Sequence, residues 1–106
     1  MSYRFMRVIL FFDLPTLSAE DRHNYAQFIK LLKHNGFVMM QESVYSRVLL
    51  NATQSAALME TLHKNKPPAG LVQVLTITEK QFARMEYLVG EAQSEVLDNT
   101  ERLVFL

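Results

Sequence analysis

The pattern of apolar and polar residues begins with an unbroken apolar run that stops at a carboxylate. Residues 8–12 are all apolar, and Asp13, Leu14 and Pro15 follow at once. Because apolar residues occupy both alternating faces, the run predicts a central β-strand that is buried on both sides. Asp13 then lies at the exit of this strand, where its charge needs a cation, a metal or hydrogen bonds as compensation for lost hydration.

A first helix is predicted after this strand. Ser18 and Asp21 have capping-box spacing, and Asn35-Gly36 is typical of a helix end. Apolar residues between these signals recur at helical spacing, which predicts that one side of the helix is buried. They are Tyr25, Phe28, Ile29 and Leu32.

A second helix and a short third helix are predicted from capping residues. Asn51 or Thr53 caps the second helix, whose inward-facing residues are Leu58, Met59 and Leu62. Thr78 caps the third helix, which extends through Arg84.

Three more strands are predicted at residues 37–41, 44–50 and 71–78, with a tight turn or a bulge at residues 42–43. The order strand, helix, strand, strand, helix, strand predicts an α+β fold, a ferredoxin-like βαββαβ sandwich. Two helices cover one face of the sheet, so the other face should expose apolar residues of the first and third strands. We therefore expect a homodimer packed sheet to sheet.

The chain divides at residue 90. Residues 1–90 form the predicted ferredoxin-like domain, and residues 91–106 form an acidic C-terminal segment that ends in an apolar strand at residues 102–106. We expect this extra strand to pair with a sheet edge, its own or its partner's.

Charge and composition narrow the function classes. Residues 1–84 contain ten Lys and Arg against six Asp and Glu, whereas residues 85–106 contain one Arg against five acids. The basic segment of residues 1–84 indicates a polyanionic partner, and the acidic segment of residues 85–106 indicates a basic protein partner. The alternative for both segments is that the charges are simply solvated. The absence of cysteine excludes disulfides and thiolate chemistry. No stretch has membrane-spanning length, so we expect a soluble, cytoplasmic protein without a membrane partner.

Asp13 is the strongest candidate for chemistry. One carboxylate does not hold Mg²⁺ alone, but a two-fold dimer supplies a second Asp13. The pair could hold a Mg²⁺ ion that activates water against a phosphodiester. The alternative is that Asp13 caps the turn at Thr16 or Ser18.

Other residues complete the list of candidates. Five basic side chains on the first and third helices could contact nucleic-acid phosphates: Arg22, Lys30, Lys33, Lys80 and Arg84. Because nothing indicates recognition of base edges, such binding should be directed to the backbone and sensitive to salt. His23, His34 and His63 are expected on the solvated surface. The chain lacks a glycine-rich phosphate loop and a nucleophile elbow.

Five segments form a more specific pattern together than separately. They are FFDLP at residues 11–15, NYAQFIKLLKHNGF at 24–37, QESVYSR at 41–47, TEKQFARM at 78–85 and RLVFL at 102–106. The combination resembles the CRISPR-associated protein 2 family, in the form found in type II systems. This resemblance implies a ferredoxin-like homodimer whose C-terminal strand crosses to the partner.

The resemblance also implies two functions. Family members are described as Mg²⁺-dependent endonucleases that cut RNA or DNA, with the aspartate at the end of the first strand as metal ligand; here this is Asp13. The family dimer also bridges dimers of the CRISPR integrase and holds foreign duplex DNA for insertion as a spacer. This chain departs from many members at Phe12, where they have tyrosine, and at Arg22-His23, where they have two arginines. Only Asp13 is therefore carried over.

Of these two functions, we expect spacer acquisition in antiviral defence to be the cellular role. Metal-dependent endonuclease activity is the alternative. A small-ligand sensor is a third class, and the lack of a glycine-lined ligand loop disfavours it.

Overall fold

The computed structural model describes residues 5–92, which form a four-stranded antiparallel sheet and three helices. The strands are β1 (Met6–Asp13), β2 (Val38–Gln41), β3 (Val44–Leu49) and β4 (Leu71–Thr78), in the sheet order β2-β3-β1-β4. The helices are α1 (Ala19–His34), α2 (Ala52–Lys64) and α3 (Glu79–Ala83). The predicted βαββαβ order is confirmed, and the predicted boundaries of β2 and β3 each differ by one residue.

The helix starts follow their sequence signals. The hydroxyl of Ser18 accepts from the Asp21 N–H at 2.9 Å, and the Asp21 carboxylate accepts from the Ser18 N–H at 3.2 Å. Asn51, and not Thr53, caps α2, because its side chain accepts from the Gln54 N–H at 2.8 Å. Removal of such a cap typically costs about 1 kcal/mol, so these bonds determine where each helix begins.

The link between β2 and β3 is the tight turn that the sequence allowed. Ser43 has a φ of +68°, as such a turn requires. The strand register also shifts between Met39 and Gln41, but this bulge lies within β2 and not at residues 42–43.

The core lies between one face of the sheet and helices α1 and α2. Its best-buried apolar residues include Val8, Leu10, Phe12, Phe28, Leu32, Leu58 and Leu62. Phe12 makes edge-to-face contacts with Tyr25 and Phe28, each with ring centroids 5.7 Å apart. Such pairs contribute about 0.5–1.5 kcal/mol beyond the area they bury, so they anchor the end of β1 beside Asp13.

The opposite face of the sheet is covered only in part. By strand alternation, Arg7, Ile9, Phe11 and Asp13 of β1 point to this face. Ile9 is buried, but Phe11 is 36% exposed, so the prediction of a strand buried on both sides is wrong at Phe11. The reason is that α3 packs only at the Arg7 end of this face, so that the other residues of 5–92 leave the Asp13 end uncovered.

The C-terminal strand predicted at residues 102–106 lies outside the described residues, as does most of the acidic segment. Among the helices of residues 5–92, none combines the length and apolar character needed to span a bilayer.

Candidate functional site

Asp13 is the last residue of β1, and it pairs with Leu71 of β4. Its side chain is exposed. Within residues 5–92, its carboxylate has neither a hydrogen bond nor an ion pair. The site therefore contains a carboxylate whose ligand positions face solvent.

Other residues hold the turn that follows Asp13. Ser18 and Asp21 cap α1 reciprocally, as described above. The guanidinium of Arg22 donates to the backbone oxygens of Thr16 at 3.2 Å and Leu17 at 2.9 Å. Asp13 takes no part in these contacts, so the structure gives no support to a capping role for it.

A glycine on the neighbouring loop supports the backbone of Asp13. Gly70, which directly precedes β4, has a φ of +99°. A Cβ atom at this position would lie 2.7 Å from the Asp13 backbone oxygen and 2.8 Å from a methyl group of Leu14. The loop can approach β1 this closely only because residue 70 lacks a side chain. The Pro67-Pro68-Ala69-Gly70 sequence was the available signal, but the sequence analysis did not assign it this role.

The donor set for a metal is small. The described part of the chain contains no group of three or more His, Asp or Glu side chains placed to hold a metal ion. Magnesium is usually held by one or two carboxylates together with water and phosphate oxygens. The exposed, unpaired carboxylate of Asp13 fits one such position, and the remaining ligands would come from a second protomer, water or a bound phosphate.

The surface next to Asp13 is apolar. Leu71 is 55% exposed and Leu75 is 50% exposed, both on the face shared with Phe11. Phe11, Gln73 and Leu75 border an open depression of about 330 Å³. The predicted apolar face is confirmed for Phe11 of the first strand, and the structure adds residues of the fourth strand to it. The prediction is wrong for the third strand, whose apolar residues on this face, Val44 and Val48, are half-buried.

The opposite end of this face is occupied by a cluster around Arg7. Its guanidinium makes a two-point ion pair with the Glu79 carboxylate, with Nε donating to Oε1 at 2.9 Å. It also lies 4.1 Å from the centre of the Phe82 ring. These contacts attach α3 to the sheet. These contacts were not predicted, although an arginine directly before an apolar run is itself a sign that a buried partner is needed.

The five basic candidates lie on two sides of the molecule. Arg22, Lys30 and Lys33 are exposed on α1, in the helical layer, whereas Lys80 and Arg84 belong to the α3 region on the opposite face. One protomer therefore does not bring all five together. Their contacts with nucleic acid stay predictions. His23, His34 and His63 are exposed, as expected.

Comparison with known proteins identifies a family. The family model described as CRISPR associated protein Cas2 matches residues 6–85. The CRISPR-associated endoribonuclease Cas2 of Treponema denticola is 54% identical, with 95% of this chain and all of the relative covered. The CRISPR-associated endoribonuclease Cas2 of Streptococcus mutans serotype c is 50% identical, with 95% of this chain and 93% of the relative covered. A crystal structure of Cas2 superposes with a TM-score of 0.59 at 24% identity, covering 84% of this chain and 91% of that chain, which supports the fold. The chain therefore belongs to the Cas2 family of CRISPR-associated proteins.

Proposed function

We propose that this chain is a subunit of the CRISPR adaptation complex. Two copies form a homodimer through the open sheet face, bridge dimers of the integrase, and hold foreign duplex DNA for insertion into the CRISPR array. The observation that carries this proposal is the uncovered apolar surface of Phe11, Leu71 and Leu75 beside Asp13. Membership in the Cas2 family supplies the cellular context.

The size of this surface indicates what else the dimer needs. Complete burial of a leucine contributes about 1.5–3 kcal/mol, so covering the exposed halves of Leu71 and Leu75 contributes about 1 kcal/mol each. A two-fold dimer doubles that sum. Association costs roughly 4–15 kcal/mol in lost freedom of motion, so burial of these two leucines in both protomers reaches only the lower end of that cost. We therefore propose that the strand predicted at residues 102–106 pairs with the partner and adds to the interface.

Duplex binding follows from the basic side chains. In the proposed dimer, exposed lysines and arginines of both protomers contact DNA phosphates without reading the base sequence. Each phosphate contact contributes about −0.9 to the slope of log K against log salt for B-form DNA. The slope of the wild-type protein therefore gives the number of contacts.

The test is co-purification of this chain with the integrase of its own CRISPR locus. Wild-type protein is compared with a truncation before Arg102, and each complex is then titrated with duplex DNA over a salt series. We expect a complex that depends on the terminal strand and binds DNA with a steep salt slope. A truncated dimer that binds the integrase as well as the wild type would contradict the proposed role of that strand. Absence of any complex with the full chain would contradict the adaptation function.

A second function is favoured by the unpaired Asp13 carboxylate. We infer that the dimer can also act as a metal-dependent endonuclease, in keeping with the name endoribonuclease of its relatives. Asp13 of each protomer would hold Mg²⁺, which when bound activates water and stabilises charge on a phosphodiester. The backbone of Gly70 keeps Asp13 in place at the strand end.

This second function has its own test. RNA and duplex DNA are incubated with the wild type, Asp13→Asn and the control Glu60→Gln, which alters an exposed carboxylate on α2. We expect cleavage only with Mg²⁺, its loss in Asp13→Asn, and wild-type activity in Glu60→Gln. Cleavage in EDTA, or cleavage by Asp13→Asn, would contradict the assignment.

A further inference from the structure

A groove in the helical layer has no role in the functions above. It runs along one side of α1 and is closed on its other side by the loop of residues 65–68. The α1 residues that border it recur at helical spacing: Asn24, Gln27, Leu31 and His34. Ten residues of helix span about 15 Å, which is the length of this wall.

The lining combines positive charge with unpaired amides. Lys30 on α1 and Lys66 on the loop both line the groove, and among the described residues no carboxylate lines it. Within residues 5–92 the one ion pair is Arg7–Glu79, so neither lysine is neutralised by a neighbouring acid. Asn24 is half-buried, and its side-chain amide has no hydrogen bond in the described part of the chain. An anion with hydrogen-bonding groups matches this lining.

The remaining lining and the size limit the ligand further. Phe28, Leu31, Pro67 and Pro68 add apolar surface to the groove. The groove has a volume of about 430 Å³, inside the range of about 300–1,000 Å³ that is usual for pockets holding small molecules. This size suits a nucleotide-sized ligand.

We propose that the groove binds a nucleotide unit, with its phosphate held by Lys30 and Lys66 and its sugar and base over Leu31 and Pro67. The unit is either a free mononucleotide or an unpaired nucleotide of a strand. The inference rests on the proposed nucleic-acid function, which it deepens with a second class of contact besides the duplex. Because the groove lies in the helical layer, it stays open when the opposite sheet face is covered.

The groove is also connected to Asp13. The loop that closes it continues into Gly70, whose backbone lies against that of Asp13. A small adjoining cavity is shared by Asn24 and Pro67 on the groove side and by Leu14 and Pro15 on the Asp13 side. A ligand that orders residues 65–68 therefore acts on the same loop that supports Asp13.

The test uses the full chain with two probes, adenosine 5′-monophosphate and a single-stranded DNA tetranucleotide. The variant is Lys30→Gln with Lys66→Gln. Its control is Lys33→Gln with Lys64→Gln, which removes the same charge from exposed positions outside the groove. We expect the groove variant to weaken binding at least about tenfold, as loss of two charged hydrogen bonds requires. For the tetranucleotide, the salt slope should fall by about 0.7, since Lys30 and Lys66 hold one phosphate and each phosphate contact on a single strand contributes about 0.7.

The two probes distinguish the sources of the ligand. Binding of the monophosphate that depends on the groove lysines supports a free nucleotide, and binding of the tetranucleotide alone supports an unpaired strand. Binding of either probe should shift the side-chain amide signals of Asn24 in a nuclear magnetic resonance titration. An equal loss of probe affinity in the groove variant and in the control would overturn the proposal. So would a wild-type chain that binds neither probe.

Failure of this proposal is separable from failure of the adaptation function. Integrase co-purification and duplex binding are measured on the same two variants. A groove variant that keeps the integrase complex, loses nucleotide binding and lowers duplex affinity no more than the control does supports the inference. A parallel loss of duplex affinity with the same change in salt slope would instead assign Lys30 and Lys66 to the duplex and overturn it. A wild-type chain that binds the nucleotide but not the integrase contradicts the adaptation function alone.

Discussion

Replacement of Gly70 by alanine tests whether the loop before β4 positions Asp13. The variant adds one methyl group where φ is +99°, against the backbone oxygen of Asp13 and a methyl of Leu14. Gly36→Ala is the matched control. Its φ is +84°, and its added Cβ would meet only side-chain atoms of Arg47 at 3.6 Å or more, which is ordinary contact.

The expected loss in the free energy of unfolding follows from the difference between the surroundings of Gly70 and Gly36. A residue with a Cβ in left-handed backbone incurs about 1–2 kcal/mol, and both variants incur it. At residue 70 the contacts of 2.7 and 2.8 Å require the backbone or Leu14 to move. Overpacking of this kind costs about 1–3 kcal/mol. We therefore expect Gly70→Ala to lower the free energy of unfolding by about 1–3 kcal/mol more than Gly36→Ala.

The assay is urea and thermal unfolding followed by circular dichroism at one fixed protein concentration, because the proposed dimer would contribute to stability. Each kcal/mol should lower the melting temperature by about 4–8 °C in a domain of this size. At a temperature where both variants are folded, Mg²⁺-dependent cleavage should fall in Gly70→Ala and persist in Gly36→Ala. Equal unfolding free energies for the two variants would refute the role assigned to Gly70.

Two further predictions concern the open sheet face. Leu75→Glu should convert the proposed dimer to monomer in analytical ultracentrifugation, because it places a charge in the proposed interface. The control Leu17→Glu, on an exposed loop, should leave the dimer intact. A dimeric Leu75→Glu protein would argue against this interface. Glu79→Gln should reduce the free energy of unfolding by about 1–3 kcal/mol in urea, because it weakens a half-buried charged pair with Arg7. Glu60→Gln should stay within about 0.5 kcal/mol of wild type, and an equal effect of both substitutions would contradict the role of the Arg7 cluster.

The elements of the fold were largely predictable because their signals are local. Capping bonds at Ser18 and Asn51 depend on residues three positions apart, and the apolar stripe of α1 lies within one helix. Asp13 could be identified for the same reason, since a carboxylate directly after an apolar run is visible without tertiary contacts.

Features that depend on contacts distant in sequence were not predicted. Arg7 and Glu79 are 72 residues apart, so the sequence does not show that α3 covers the sheet beside Ile9 and leaves Phe11 exposed. Gly70 and Asp13 meet only after β1 and β4 have paired. The groove likewise forms only when the fold brings α1 and the loop of residues 65–68 together.

The position of Asp13 has a consequence for both proposed functions. Its carboxylate lies at the edge of the same face that the proposed dimer buries, with Leu71 as its strand partner. The proposed dimer would therefore bring two copies of the proposed metal ligand toward one interface, whereas the proposed bridge between integrase dimers requires only the interface itself. The two functions can thus be separated by substitution.

Spacer acquisition in cells that carry Asp13→Ala is the first measurement to make, because it tests whether the proposed adaptation role is independent of cleavage. The complete CRISPR locus is expressed with either the wild-type chain or the variant, and new spacers are counted by sequencing of the array. Our account predicts wild-type acquisition in Asp13→Ala, because the adaptation role depends on the dimer and not on cleavage. Loss of acquisition, with the dimer and its complex with the integrase still intact, would contradict it.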